Sequence, residues 1–144
     1  MNHSGLLLGV VAWLTATSYL PAQTDAAARS PAAPAKSTVV RDVAPEEAET
    51  LLKNSTNVVV LDIRTPREFS AGHLAGATNV NFYGADFAAA LDKLDKAKVY
   101  LVHCATGARS ARAMAEFKRL EFQTIYHLNQ GLAGWQKAGK PVIK

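Results

Sequence analysis

Cysteine is nearly absent from this 144-residue chain: Cys104 is the single thiol. One thiol cannot close an internal disulfide, so stability has to come from the core. A lone cysteine also argues against a thiolate metal centre, which needs a cluster of ligands. No metal and no cofactor are expected. Charge of one sign is scarce too. The net charge is +4, from 16 basic and 12 acidic residues, and the excess is scattered with no Lys/Arg run. That excludes a basic stripe of the kind that follows nucleic acid. The uncharged apolar stretch near the N-terminus, Gly5 to Leu20, has 16 residues, short of the roughly 20 of a membrane-spanning helix. What is present is a composition that is 49% hydrophobic and 19% charged, on a length that suits one domain. There is no internal repeat.

The N-terminus reads as targeting sequence. Gly5 to Leu20 is apolar and uncharged over 16 residues, the length of a signal-peptide core, and the small residues Ala16, Ser18 and Ala22 follow its strongest part. The segment before it lacks Lys and Arg, which a signal peptide usually carries. An uncleaved anchor therefore stands beside cleaved export, and a buried helix of the fold is the third reading. Without a nearby cysteine, a lipoprotein anchor at this site is excluded. Residues 24–37 (TDAAARSPAAPAKS) are Ala/Pro-rich and read as a flexible linker. The expected organisation is a signal or anchor over 1–23, a linker over 24–37 and a folded domain over 38–144.

Within that domain, strand-like and helix-like stretches alternate. Val39–Val43 is a short strand, and Pro45 opens a helix with Glu46 and Glu47 in its first turn. Val58–Leu61 and Val99–His103 are continuous apolar runs, the pattern of strands buried on both faces. Thr65-Pro66-Arg67-Glu68 has the form of a capping box, and Gly72 ends that short helix. A strand over Ala77–Asn81 and a helix over Ala85–Leu94 follow. Ser110 caps a helix running to Leu120, with Ala111, Met114 and Phe117 inward; Ile125–Leu128 is a strand and Leu132–Lys137 the last helix. The alternation predicts an α/β fold, a mostly parallel central sheet with helices on both faces.

Ligands in such folds gather at the carboxyl ends of the strands. Cys104 lies immediately beyond the end of Val99–His103, followed by Ala105, Thr106, Gly107, Ala108, Arg109 and Ser110. Small residues let the backbone curl so that its N–H groups converge on one spot. With a helix dipole and the Arg109 guanidinium added, the loop becomes an anion cradle around a sulfur. The same field favours the thiolate, so Cys104 is expected to be a nucleophile near neutral pH. His103 precedes it and by strand alternation points away.

Four stretches in this order resemble the rhodanese family. Leu61-Asp62-Ile63-Arg64-Thr65-Pro66-Arg67-Glu68-Phe69 is similar to its D-[VI]-R-x-x-x-E-[FY] stretch. Gly72-His73-Leu74-Ala75-Gly76-Ala77 is similar to its G-H-[IL]-x-G-A turn. The Cys104–Arg109 loop is the third. Gly131 to Trp135, with Ala138-Gly139-Lys140-Pro141-Val142, is similar to its closing G-x-x-x-W-x-x-x-G-x-P-V. One departure is Gln130 before Gly131, where the family often has two glycines; a local backbone adjustment is expected there.

The resemblance implies a single rhodanese-like domain. It also implies a sulfurtransferase that takes sulfane sulfur from a small anionic donor such as thiosulfate onto a Cys104 persulfide, then passes it to a thiol, cyanide or protein acceptor. It places Asp62 and Arg64 as a polar, organising pair near the site, with His73 in a supporting position. Arg67 is expected to face solvent, Thr106 to bind the anion or persulfide, and Trp135 to lie in the core. Two other readings remain open: a cysteine-based phosphatase or arsenate-type enzyme, and a non-catalytic sulfur-sensing module. The phosphatases place five residues between Cys and Arg, whereas here there are four, Ala105 to Ala108. Export to a bacterial periplasm is the expected location, with a membrane partner only if the N-terminal segment stays uncleaved.

Overall fold

Continuous apolar runs suit strands covered on both faces, and the computed structural model, which describes residues 37–144, sets two of them side by side inside the sheet. The expected signal segment, and the linker up to residue 36, lie outside the described residues. The elements are β1 Val39–Val43, α1 Pro45–Asn54, β2 Val58–Asp62, α2 Pro66–Ser70, β3 Thr78–Asn79, α3 Phe87–Asp92, β4 Val99–His103, α4 Ala108–Arg119, β5 Thr124–Leu128 and α5 Gly131–Lys137. The strands form one sheet in the order β1-β5-β4-β2-β3, and every pairing is parallel.

Side-chain alternation along the strands divides the core in two. Leu61, Ile63, Tyr100, Val102, Cys104 and Ile125 pack with Leu91 of α3 and with Ala113, Met114 and Phe117 of α4. On the other face Val43, Val60, Leu101 and Leu128 pack with Ala48 of α1 and with Leu132 and Trp135 of α5. Trp135 is core as expected, and its indole N–H donates to Pro141 O at 2.8 Å.

Several boundaries differ from the sequence reading for local reasons. β3 has two residues, because the Ala77 N–H is used in a turn to Leu74 O. Beyond β3 only single bonds continue the ladder, from Val80 N to Asp62 O and from Phe82 N to Ile63 O. α3 is shorter at both ends, where Phe87 N to Gly84 O and Leu94 N to Leu91 O are single-turn bonds. α4 begins at Ala108, so Ser110 lies in its first turn and Gly107, at φ 97°, precedes it. Its buried stripe is Ser110, Ala113, Met114 and Phe117, spaced i, i+3, i+4, i+7, and Ala111 is exposed.

The expected polar pair exists, but on the other face of the sheet from the thiol. Asp62 shares strand parity with Val60, and its carboxylate accepts from Arg64 Nε at 3.0 and 2.9 Å and from Arg64 Nη2 at 2.6 Å. Arg64 Nη2 also donates to Gly72 O at 2.7 Å, which ties β2 to the turn before β3. His103, opposite Asp62 in register, has Nε2 3.7 Å from Asp62 Oδ2. Burial pushes the His103 imidazole below its ordinary value against the pull of Asp62, so it stands neutral. Asp62 and Arg64 therefore organise strand ends, and Cys104 points to the α3/α4 side.

Arg64→Ala strands a fully buried carboxylate and is expected to cost about 3–5 kcal/mol in urea unfolding, whereas the double replacement Asp62→Leu/Arg64→Leu costs less than the single one. A single variant no worse than the double would show that the pair is not a compensated buried ion pair.

Candidate active site

β4 delivers Cys104 just past its carboxyl end, and only Cys104 to Gly107 separate it from α4. The loop is shorter than the six residues expected, because Ala108 and Arg109 already belong to the helix. Two glycines make that possible. A Cβ on Gly107 would lie 1.8 Å from Asn129 O. One on Gly131, itself at φ 58°, would lie 2.6 Å from the Ala105 carbonyl carbon and from Thr106 N. The 129–133 turn thus packs backbone against backbone on the loop. Leu132 N donates to Cys104 O at 2.8 Å and Ala133 N to Ala105 O at 2.9 Å. Gln130 needs no left-handed backbone (φ −95°, ψ −2°), so a side chain is accommodated where a second glycine often stands.

With those carbonyls engaged outward, the loop's N–H groups face the sulfur. Gly107 N donates to Cys104 Sγ at 3.2 Å, and Ser110 Oγ lies 3.5 Å from it. Burial pushes the thiol's pKa up. Hydrogen bonds from the Ser110 hydroxyl and from the N–H groups of Ser110, Thr106 and Gly107 outweigh it, and the thiol lies below its ordinary value. Thr106 is exposed and its backbone N–H reaches the sulfur; Ala105 is half-buried and Ala108 exposed. Cys104 is fully buried, with 0% exposure.

Arg109 is not free to face the sulfur alone. Its guanidinium is engaged by Glu68, Nη1 to Oε2 at 2.8 Å and Nη2 to Oε1 at 2.5 Å, and its Cζ lies 5.6 Å from the Tyr83 ring centre. Glu68 is itself fixed by the capping box that the sequence announces: Thr65 N donates to Glu68 Oε2 at 3.0 Å, and Glu68 N to Thr65 Oγ1 at 3.3 Å. The Arg109 bonds hold the Glu68 carboxyl down at about 2. Arg67 is exposed, as expected.

His73 lies in the turn after α2. Its ring stacks on Phe69 at 3.8 Å with Nδ1 3.0 Å from Phe69 O, and its backbone pairs with Ile143. It fastens the C-terminal residues. Sequence reasoning missed two groups that stand behind Ser110: His127 Nε2 is 2.8 Å from Ser110 Oγ, and His127 Nδ1 is 2.8 Å from Asp42 Oδ1. Their residues are 85 apart, and β5 reads only as an apolar strand. The polar clue was a histidine at an inward position of that strand.

The fold and this loop define an α/β domain with a cysteine cradled at a strand end, and the chain belongs to the rhodanese family: the family model for the rhodanese-like domain matches residues 44–138. A thiosulfate sulfurtransferase, GlpE of Pseudomonas aeruginosa, is 39% identical over 95 residues, covering 65% of this chain and 82% of that one. The "probable adenylyltransferase/sulfurtransferase MoeZ" of Mycobacterium tuberculosis is 29% identical over 99 residues, 69% of this chain, and the match spans only 25% of MoeZ. Among solved structures, a rhodanese-related protein from Thermoplasma volcanium superposes with TM-score 0.62 at 27% identity, covering 72% of this chain and 97% of that one. A Rhodopseudomonas palustris protein described as a possible tyrosine phosphatase superposes with TM-score 0.60 at 25% identity, covering 72% and 85%.

Two outcomes test this geometry. Gly131→Ala forces a Cβ into the Ala105–Thr106 peptide at a positive φ. It is expected to lower stability by about 1–3 kcal/mol and to slow iodoacetamide alkylation of Cys104; wild-type values for both would mean that the turn does not brace the loop. The Glu68 carboxyl lies at about 2 against an ordinary 4.5. Its contribution is therefore present above pH 4.5 and lost as pH falls through 2. Glu68→Gln should lack that step in acid unfolding followed by circular dichroism, about 1 kcal/mol once screening at a side chain 34% exposed is allowed for.

Proposed function

We propose that this protein is a sulfurtransferase that carries sulfane sulfur as a persulfide on Cys104. The observation that carries the reading is the thiol itself: a sulfur that accepts an N–H from Gly107, lies against the Ser110 hydroxyl and has its pKa lowered by donors from the loop and the first turn of α4. In the first half-reaction the Cys104 thiolate attacks the outer sulfur of thiosulfate. The new bond is Sγ–S, the bond broken is the donor's S–S bond, and its electron pair leaves with sulfite. Arg109, shared with Glu68, supplies positive charge toward the departing anion. In the second, an acceptor such as cyanide attacks the outer persulfide sulfur, leaving as thiocyanate and returning the thiolate. The sequence has no second cysteine to take the sulfur, so the acceptor is another molecule, a small thiophile or a protein thiol. Export by the N-terminal segment, to a bacterial periplasm or to an anchored position, belongs to the same reading.

The Rhodopseudomonas palustris neighbour gives phosphoryl chemistry one specific observation in its favour. The loop weighs against it: four residues between Cys104 and Arg109 form a tighter ring than the five that the phosphatases place there.

Intact-protein mass of the full chain, before and after thiosulfate and again after cyanide, separates these readings. The expected result is a gain of one sulfur atom that cyanide removes and that Cys104→Ser abolishes. No gain, with hydrolysis of an aryl phosphate instead, would replace sulfur transfer by phosphatase chemistry. Inertness in both assays with every donor tried would leave a sulfur-sensing module.

A further inference from the structure

The Ser110 hydroxyl has one proton and three neighbours able to accept it: Gly107 O at 3.0 Å, Cys104 Sγ at 3.5 Å and His127 Nε2 at 2.8 Å. The nearest is His127, whose ring is 5% exposed. Its other nitrogen, Nδ1, faces Asp42 Oδ1 at 2.8 Å. An ionised carboxylate only accepts, so Nδ1 keeps its proton in either charge state of the ring. A neutral ring then has a bare Nε2, and the Ser110 proton turns toward it. An imidazolium carries a proton on Nε2, donates to Ser110 Oγ and leaves the hydroxyl proton free for the sulfur.

The fold puts these groups in line. Register sets His127 between Asp42 of β1 and Val102 of β4, and parity aims it at the face that α4 covers. The groups facing its ring are Asp42 from β1 and Ser110 from α4, with Cys104 behind Ser110; β4 offers the apolar Val102. Arg109, one residue before Ser110, is turned to Glu68, and Arg41, one before Asp42, pairs with Glu47.

We propose that His127 is a positioning residue for Cys104, directing the Ser110 proton away from Sγ when neutral and onto Sγ when it is an imidazolium. The proposal rests on the reading of Cys104 as the sulfur carrier. In effect the chain Asp42–His127–Ser110 couples the protonation of one ring to the nucleophile, and the coupling is reciprocal: the thiolate stabilises the imidazolium as much as the imidazolium stabilises the thiolate.

The test reads the thiol and the ring directly in the full chain. The rate of iodoacetamide alkylation is followed against pH for wild type, His127→Phe, His127→Gln and Ser110→Ala, each checked for fold by circular dichroism. Wild type is expected to titrate over a wider pH range than one proton allows. Both His127 variants should narrow it to a single-proton curve. Ser110→Ala should move it to higher pH and slow alkylation several-fold near neutrality. If the His127 variants fail to fold, nuclear magnetic resonance titration of the His127 ring in wild type and in Cys104→Ser carries the same information. The midpoint should fall when the thiolate is removed. Superimposable alkylation profiles for wild type and His127 variants, or an unchanged ring midpoint in Cys104→Ser, would overturn the proposal. Neither readout needs sulfur transfer, so failure of the relay and failure of the persulfide assay are separate results.

Discussion

The segment that presents backbone donors to Cys104 Sγ has the carbonyls of Cys104, Ala105 and Gly107 already bound elsewhere. Leu132 and Ala133 donate to the carbonyls of Cys104 and Ala105, and Ala111 N donates to Gly107 O. Turning those oxygens outward leaves the amides of Thr106, Gly107 and Ser110 as the groups that stabilise the sulfur. A thiolate in this pocket is solvated by the protein in place of water, at fixed positions that cost no reorganisation when charge develops. The constraint reaches back into the fold. The turn that holds the loop joins β5 to α5, so the pocket depends on β4 and β5 lying side by side and in register.

Charge is arranged around this constraint in separate places. On the α1/α5 face, Asp62, Arg64 and His103 form a buried polar set that holds β2 to the following turn. On the α3/α4 face the sulfur meets neutral donors, and the full charges lie farther out, in the Glu68–Arg109 pair. Arg109 next to Glu68 presents less net positive charge than a free guanidinium would. In the proposed reaction an anionic donor at the rim would compete with Glu68 for the same N–H groups, so Glu68 would matter to its capture as the arginine does.

Much of this was legible in the sequence where the signal was local. The apolar runs at 58–61 and 99–103 mark the inner strands because a strand buried on both faces needs them, and Thr65-Pro66-Arg67-Glu68 forms the capping box its spacing announces. The alternation of strands and helices carried the parallel sheet. What was not legible was anything set by tertiary approach. Glu68 reads as a cap residue, and nothing local says that it reaches Arg109, 41 residues on. Gly131 reads as part of a closing motif, and only the packed fold shows its missing side chain making room for the loop. Ser110 reads as a helix cap because serine favours that position. The left-handed Gly107 starts the helix earlier and turns the hydroxyl inward to the sulfur and to His127.

That displacement of Ser110 has a chemical consequence. As a cap, its hydroxyl would be used up on the helix's first amides. In the first turn it is instead the third side of the sulfur's surroundings and a joint between two strands' worth of polar groups, Asp42 of β1 and His127 of β5 on one hand and Cys104 on the other. A hydroxyl with a single proton cannot serve Sγ, Gly107 O and Nε2 at the same moment. The loop amides give the thiolate a constant stabilisation, whereas the hydroxyl gives one that depends on its neighbour. A site built from amides alone would have one affinity for negative charge on sulfur; adding Ser110 against a titratable ring gives it two.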